Sequence, residues 1–260
     1  MEFKQEIKQV FLNYDIELTD KQADQFEQYY NMIIEYNKNV NLTAITDQTE
    51  VIIKHFLDSV LCYNELNADS SLVDIGAGAG FPGIPLKIVR PDINITMIDG
   101  LNKRVVFLND VIKKLNLTNI VAIHGRCEDF AKKPEFREKF DYCVARAVAK
   151  LNTLAEYCLP FVKLYGYMIA YKSRNAQQEI EEATNALSTL GGKLMNIKVV
   201  DIFEIEAERN FLFIHRIVLS LHSQNRAGCS SARLEYASGG RVVAGSNPVI
   251  PTTKRLYKKL

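Results

Sequence analysis

The 260-residue chain contains 47% hydrophobic and 24% charged residues and carries a formal net charge of +1. This composition is typical of a globular protein, and it excludes both a disordered chain, which has too few apolar residues to build a core, and a fibrous chain rich in glycine and proline. No apolar run reaches the roughly 18 residues that a membrane-spanning helix needs, and the polar N-terminus does not resemble a signal segment, so we expect a cytoplasmic protein that does not bind membranes.

The chain contains five cysteines, and its four histidines are equally scattered. No two cysteines form a Cys-x-x-Cys pair, and no cysteine–histidine spacing matches a zinc site. A chain of this size does not need a disulfide framework to stabilise its core. We therefore expect no metal site and no disulfide bond.

Charge is distributed unevenly along the chain. Residues 1–65 contain 5 Lys or Arg against 12 Asp or Glu, whereas residues 102–174 contain 14 against 7 and residues 216–260 contain 8 against 1. A basic middle and a basic end favour a polyanionic partner bound on one face. Solvated helix surfaces would produce the same pattern, so charge alone leaves both interpretations open.

Residues 1–65 are predicted to form an N-terminal helical region. Thr19 and Asp20 precede a stretch whose apolar residues recur at helical spacing from Phe26 to Tyr36. A second helix is predicted from about Glu50 to Glu65, where the apolar positions again form one stripe. The polar segment 37–43 connects the two helices.

From Ser71 onward, short β-branched runs alternate with helical patterns. Strands are predicted at 71–76, 94–99, 119–125, 140–146 and 166–172, with helices near 82–90, 103–116, 150–163 and 175–189. This alternation predicts a parallel sheet covered on both faces. Two further strand-like runs, 198–205 and 210–219, have no helix between them and predict a terminal antiparallel hairpin. A mostly parallel sheet closed by a hairpin is the outline of a Rossmann-like class I methyltransferase, and we assign this α/β domain to residues 66–220.

The strongest local motif is the glycine turn that follows the first predicted strand. Gly76, Gly78 and Gly80 are spaced G-x-G-x-G, after the acidic Asp74 and before Phe81 and a helix. Glycines let the backbone turn sharply and let a ligand approach closely. A dinucleotide would place its pyrophosphate on the helix N-terminus, whereas S-adenosylmethionine carries no phosphate and would place its methionine portion over the turn. A tight turn without a ligand is the remaining interpretation.

Two further segments at the carboxyl ends of predicted strands complete a nucleoside site. Asp99 ends the second strand, where a carboxylate accepts hydrogen bonds from ribose hydroxyls in either class of cofactor. Cys127 and Glu128 follow the third strand, at the place where an adenine ring would need polar contacts to its edge. Alternatively, Asp99 is an ordinary surface acid, and Glu128 or Asp129 only caps a helix.

Arg146 ends the fourth strand between small residues, and its guanidinium suits a carboxylate or an RNA phosphate. The chain lacks the Asn/Asp-Pro-Pro-aromatic motif of amino-group methyltransferases and the Pro-Cys nucleophile of cytosine-C5 enzymes. A ring nitrogen such as guanine N7 presents a free lone pair, so its methylation requires neither a base nor a covalent adduct. We therefore expect no catalytic residue, and catalysis that depends on positioning.

Three motifs together resemble the bacterial small-subunit (16S) ribosomal RNA guanine-N7 methyltransferases, also called the glucose-inhibited division protein B family. They are LVDIGAGAGFPGIPLKIVRP, IDGLNKRVVFL and VARAVAKL, and the segments at 41–43 and 55–59 are similar too, so that the resemblance covers roughly residues 20–216. It implies S-adenosylmethionine as methyl donor and 16S rRNA, free or in the small ribosomal subunit, as acceptor.

The resemblance also assigns site residues. Gly76, Phe81, Cys127, Glu128 and Arg146 fall on the family's cofactor-contacting positions. Relatives often carry a small residue such as alanine where this chain has Cys127, which favours a backbone contact there. Four basic residues are candidates for RNA phosphate contacts because of their charge and loop positions: Lys103, Arg104, Lys172 and Arg174.

Three rival functions are consistent with parts of the sequence. A methyltransferase for a small molecule or a protein would need no RNA, a nicotinamide-dependent oxidoreductase would bind NAD at the same glycine turn, and a non-catalytic RNA-binding protein would need no cofactor.

Residues 221–260 do not match the family, which ends soon after the last strand. The segments 230–235 and 245–248 can be back-translated into the D-arm and T-arm of a transfer-RNA gene. One hypothesis is therefore a reading frame that runs into such a gene and encodes a disordered tail. The other is an RNA-binding arm, which the positive charge of this segment favours.

Overall fold

A computed structural model of the chain describes residues 2–173 and 176–217. Within these residues seven strands form one sheet, in the order β3-β2-β1-β4-β5-β7-β6. The strands are β1 (Ser71–Ile75), β2 (Asn94–Asp99), β3 (Ile120–His124), β4 (Phe140–Arg146), β5 (Val162–Lys172), β6 (Gly192–Ile202) and β7 (Ala207–Arg216). The predicted tail at 221–260 lies outside the described residues.

The sheet is parallel from β3 to β5, whereas β7 runs antiparallel to both β5 and β6. The predicted mixed sheet with a terminal hairpin is therefore confirmed. The hairpin is longer than predicted, because β6 begins at Gly192. The pairing of β6 with β7 also shifts register between Leu194 and Asn196. Because that shift interrupts the strict alternation of apolar and polar residues, the first half of β6 does not show the period-two pattern by which a strand is recognised in a sequence.

Helices cover both faces of the sheet in the part that the structure describes. They are α1 (Phe3–Leu12), α2 (Asp20–Asn37), α3 (Gln48–Val51), α4 (Asp58–Val60), α5 (Gly83–Val89), α6 (Asn102–Lys114), α7 (Cys127–Phe130), α8 (Leu151–Cys158) and α9 (Ala176–Thr189), with a π-helix at Ile52–Leu57 between α3 and α4.

The N-terminal region is helical as predicted, with one additional helix. Thr19 begins α2 with a capping box, in which its hydroxyl accepts from the backbone N–H of Gln22 and the Gln22 side chain accepts from the Thr19 N–H. Helix α1 was not separately predicted, although its buried residues recur at helical spacing, as Phe3, Ile7, Val10 and Phe11. The predicted second helix contains the π-helical turn, a feature often found at functional sites.

Apolar residues of the N-terminal helices and of one sheet face form a single hydrophobic cluster. Phe26 and Tyr29 of α2 lie in the same cluster as Ile84 of α5, Phe107 of α6 and Val144 of β4. Helices α8 and α9 contribute to a second cluster on the other face. The N-terminal helices are thus packed into the core of the sheet, while the domain boundaries at 65 and 220 stay a prediction.

The connectivity brings the carboxyl ends of β1, β2, β3, β4 and β5 to one edge of the sheet, because these strands are parallel. The strand order reverses direction between β1 and β4, which are adjacent although the chain visits β2 and β3 first. Open α/β sheets bind ligands in the crevice at such a switch point. The candidate site lies there.

Candidate cofactor and substrate site

The glycine turn between β1 and α5 has the backbone conformation that its sequence predicts. Gly76, Gly78 and Gly80 have φ angles of +69°, +61° and +100°, a region that side chains with a Cβ rarely adopt. A Cβ added to Gly78 would meet nothing nearer than the Gly76 carbonyl oxygen at 3.9 Å. A Cβ at Gly80, in contrast, would lie 2.6 Å from the Tyr29 hydroxyl and 2.7 Å from Ile84. Gly78 therefore presents bare backbone to the crevice, and Gly80 is enclosed by the core.

Asp74 occupies the N-terminus of the helix that follows the turn. Its Oδ2 accepts from the backbone N–H of Gly83, the first residue of α5, at 2.9 Å. The carboxyl group is fully buried, and burial raises the pKa of Asp74 to about 7. A dinucleotide pyrophosphate would need this helix N-terminus, so the position of Asp74 disfavours a nicotinamide cofactor.

Asp99 forms hydrogen bonds with three loop segments at the carboxyl edge of the sheet. Its Oδ2 accepts from the Gly78 N–H and its Oδ1 from the Leu101 N–H, both at 2.8 Å. Its backbone carbonyl accepts from the Gly125 N–H at 3.0 Å, just before α7. The carboxylate is 4% exposed, and the Arg104 guanidinium lies 3.7 Å from it. Asp99 thus holds the glycine turn against the ends of β2 and β3, and its predicted contact with a ribose stays a prediction.

Cys127 and Glu128 form the start of α7, beside the end of β3. The Cys127 thiol donates to Glu128 Oε2 at 3.2 Å, and partial burial together with Glu128 raises the pKa of Cys127 to about 12. The hydrogen bonds through Asp99 link this segment to the glycine turn, so the structure brings the two predicted parts of a nucleoside site to one edge. Partial burial and the neighbouring Glu128 carboxylate thus favour the protonated thiol at neutral pH.

Phe81 lies at the centre of an aromatic cluster that joins the turn to the N-terminal helices. The His55 ring stacks on Phe81 with 4.5 Å between centroids, and the Tyr29 ring lies 5.8 Å away. The Tyr29 hydroxyl is buried and donates to the Ala79 carbonyl within the glycine turn. Tyr29 was not predicted as a site residue, since its helical spacing is that of an ordinary core residue.

Arg146, at the end of β4, contacts both Phe81 and the N-terminal region. Its guanidinium carbon lies 4.9 Å from the centre of the Phe81 ring, a cation–π arrangement. Its Nη1 donates to the carbonyls of Lys54 and His55 in the π-helix, at 3.2 and 3.4 Å, and to Asp58 Oδ2 at 2.7 Å. Burial and the nearby Arg146 charge lower the pKa of His55 to about 4, so that His55 is neutral at physiological pH.

A cavity of about 530 Å³ opens beside Arg146. Its walls come from the π-helix and α4, from the loop after β4, from the end of β5, from α9 and from β7. They include Lys54, Asp58, Ala147, Lys172, Glu179 and Arg209. The volume is that of a small-molecule site and is large enough for one nucleotide base. Arg146 lies in the wall of this cavity and also against Phe81, which places it between the cavity and the glycine turn.

The four candidate RNA contacts differ in their surroundings. Lys103 is exposed in the first turn of α6, and Arg104 is partly exposed beside Asp99. Lys172 is only 8% exposed, and its ammonium group donates to Glu179 at 2.6 Å and to the Ala149 carbonyl at 2.9 Å. In this arrangement Lys172 stabilises the cavity wall. A contact with a phosphate would require the ion pair between Lys172 and Glu179 to break. Arg174 lies outside the described residues.

Within residues 2–173 and 176–217, no three His, Cys, Asp or Glu side chains are grouped as metal ligands would be. No helix among them combines the length and apolar content needed to cross a membrane.

Comparison with known families and curated proteins gives one consistent result. The family model for rRNA small subunit methyltransferase G matches residues 22–210. A curated protein named ribosomal RNA small subunit methyltransferase G from Desulforamulus reducens is 52% identical over 213 residues, which cover 81% of this chain and 89% of that protein. A protein of the same name from Lachnoclostridium phytofermentans is 49% identical, with 82% and 89% coverage.

Solved structures share the fold at low sequence identity. The [4+2]-cyclase SpnF aligns with 76% of this chain and 96% of its own, with a TM-score of 0.53 and 13% identity. TYW2 from P. horikoshii, solved in complex with MeSAdo, aligns with 62% of each chain, with a TM-score of 0.50 and 14% identity. These similarities support the Rossmann-like α/β architecture alone, because one fold hosts many activities.

Proposed function

The chain belongs to the rRNA small subunit methyltransferase G family, and on this premise we propose which of its residues bind the methyl donor and which bind the RNA. The enzyme transfers a methyl group from S-adenosylmethionine to N7 of a guanine in 16S ribosomal RNA. The observation that carries this conclusion is the family match over residues 22–210. This range runs from the first turn of α2 to the start of β7 and includes the residues that form the crevice. A small molecule or a protein as acceptor does not agree with a family of rRNA methyltransferases.

The residues around the glycine turn fit S-adenosylmethionine. Gly78 presents backbone with open space above it, while Asp74 already occupies the helix N-terminus that a phosphate would require. When bound, S-adenosylmethionine supplies an electrophilic methyl group on a positively charged sulfur. We assign the methionine portion to Gly76, Gly78 and Phe81, with Arg146 as the guanidinium partner of its carboxylate.

The nucleoside portion of the cofactor is assigned to the adjoining loops. Asp99, Cys127 and Glu128 follow β2 and β3, and their segments are held to the glycine turn by the hydrogen bonds of Asp99. Glu128 is exposed and accepts from the Cys127 thiol. Asp99 already accepts two backbone N–H groups, so a ribose hydroxyl would use the remaining lone pairs of its oxygens.

The cavity beside Arg146 is assigned to the guanine. N7 needs no deprotonation before it attacks the methyl group, so the residues of this pocket have to align the base and exclude water rather than remove a proton. His55 fits that role, because its low pKa leaves it neutral and it adds no charge beside the base that becomes cationic. In an A-form helix N7 lies in a deep and narrow groove, so an unpaired guanine is the expected substrate.

We also propose 16S rRNA, free or in the small ribosomal subunit, as the partner and the cytoplasm as the site of action. Exposed Lys103 and partly exposed Arg104 border the carboxyl edge of β2 and are available for phosphates. Their charges agree with the basic middle of the sequence.

The decisive experiment incubates the purified chain with methyl-labelled S-adenosylmethionine and small ribosomal subunits that lack this modification. Naked 16S rRNA and an unrelated RNA are assayed in parallel, and the RNA is digested to nucleosides. We expect label in 7-methylguanosine from the 16S substrates only. Labelled RNA without 7-methylguanosine, or no labelled RNA from a chain that binds the cofactor, would contradict the proposal.

A further inference from the structure

Asp58 holds two arginines that come from distant parts of the chain. Its side chain is 1% exposed, at the start of α4 directly after the π-helix. One oxygen accepts from Nη1 of Arg146 at 2.7 Å, and the other accepts from Nε of Arg209. Arg146 ends β4 and Arg209 lies in β7, so one carboxylate joins the N-terminal region to two strands of the sheet.

The Arg146 side of this arrangement leads to the cofactor. With one amino group held by Asp58 and by the carbonyls of Lys54 and His55, the guanidinium plane is fixed against the Phe81 ring. Phe81 directly follows the glycine turn. The position of Asp58 therefore sets the position of the group that we assign to the carboxylate of the methyl donor.

The Arg209 side leads to the cavity. Arg209 lines the cavity, and its side chain is 24% exposed, so it faces whatever enters from solvent. A guanidinium held through Nε keeps its two terminal amino groups for a further partner, which suits a phosphate or the oxygen of a base.

The carboxylate is needed because two cations share one poorly solvated site. Arg146 is 10% exposed, and its guanidinium lines the same cavity as that of Arg209, with Asp58 paired to both. Like charges in a medium of low dielectric constant repel strongly. Asp58 offsets one positive charge and gives both side chains a fixed, charge-assisted hydrogen bond.

We propose that Asp58 is a positioning residue that aligns Arg146 for the cofactor and Arg209 for the RNA, so that the two halves of the site are set by one buried carboxylate. This inference rests on the proposed function. The Asp58 side chain is only 1% exposed, and it acts through the two arginines.

The test uses Asp58→Asn in the full chain, since asparagine keeps the volume and one acceptor oxygen but places an amide NH₂ against one arginine. We expect S-adenosylmethionine to bind ~10- to 100-fold more weakly by calorimetry and kcat/KM for small subunits to fall by at least as much. Glu138→Gln is the matched control, because Glu138 holds buried Arg216 at the other end of β7, with 2.6 Å between Oε1 and Nη2. Its cofactor Kd should stay within about twofold of the parent value.

A double-mutant cycle separates positioning from simple loss of folding. Arg209→Gln should raise KM for the RNA substrate and leave the cofactor Kd unchanged. In the Asp58→Asn background the same change should raise KM by a smaller factor, since Arg209 is already misplaced. Equal factors in both backgrounds would overturn the proposal.

The double variant Asp58→Asn with Arg209→Gln serves if Asp58→Asn alone does not fold, because it removes one of the two guanidinium groups together with the carboxylate that pairs with both. Weaker cofactor binding than in Arg209→Gln supports the role of Asp58 in placing Arg146, and equal binding refutes it. Failure of the proposed function is recognised separately, since the parent chain would then form no 7-methylguanosine. A parent chain that forms it, alongside an Asp58→Asn variant with unchanged kinetic constants, would reject the inference alone.

Discussion

Alanine at two neighbouring glycines of the turn should separate cofactor binding from stability. Gly78 and Gly80 both have positive φ, but only Gly78 faces open space. We therefore expect Gly78→Ala to fold and to lose affinity for S-adenosylmethionine, and Gly80→Ala to lose stability. The two variants carry the same chemical change two residues apart, so each is the control for the other.

The magnitudes follow from the contacts. At Gly78 the strained backbone costs about 1–2 kcal/mol, partly offset by the lower entropy of the unfolded chain, which leaves about 1 kcal/mol and lowers Tm by about 2–4 °C. At Gly80 the added Cβ would also lie 2.6 Å from the Tyr29 hydroxyl and 2.7 Å from Ile84. Such overpacking adds about 1–3 kcal/mol to the same backbone cost, so that Tm falls by about 4–16 °C.

Calorimetry and thermal unfolding measure the two effects. A methyl group placed between the turn and the ligand should weaken cofactor binding about tenfold or more in Gly78→Ala. Titrations are performed at a temperature at which both variants are fully folded. A Gly78→Ala variant that binds S-adenosylmethionine as tightly as the parent chain would refute the reasoning, because the ligand would then not lie over Gly78.

Three further changes test other parts of the site. Tyr29→Phe leaves the buried Ala79 carbonyl without its donor, so the free energy of unfolding should fall by about 1–3 kcal/mol in urea titrations, and an unchanged midpoint would contradict this hydrogen bond. Because burial raises the pKa of Asp74 to about 7, the folded chain binds a proton between pH 7 and pH 5 that the unfolded chain does not. The free energy of unfolding should therefore rise by up to about 1.4 kcal/mol per pH unit as pH falls from 7 to 5. Asp74→Asn should remove this pH dependence. Lys103→Gln should weaken RNA binding and lower the slope of log affinity against log salt by about one unit, and an unchanged slope would exclude Lys103 as a phosphate contact.

Much of the fold could be predicted from the sequence because its signals are local. Strand β2 begins and ends at Asn94 and Asp99 as predicted, and β4 matches its predicted range 140–146. Alternating strands and helices imply parallel order, and a final pair of strands without a helix implies a hairpin. The first half of β6 was not predicted, because its register shifts there. Helix α1 was not predicted, because no capping residue precedes it.

The candidate site was predicted in part. Gly76, Gly78, Asp99 and Cys127 lie on one connected edge of the sheet, which strand ends and glycine spacing imply. The assignment of Lys172 to RNA rested on charge and loop position, and such features do not show that an ammonium group is already paired with a carboxylate.

The sequence by itself determined the order of the elements, the glycine turn and the family, because hydrophobic periodicity and turn residues act over a few positions. Only the tertiary structure decided which charges meet. Asp58 lies 88 positions from Arg146 and 151 from Arg209, and the three side chains meet only because the N-terminal helices dock on the carboxyl edge of the sheet. Docking depends on the packing of a whole hydrophobic cluster, from Phe26 and Tyr29 to the sheet, so no local pattern reports it.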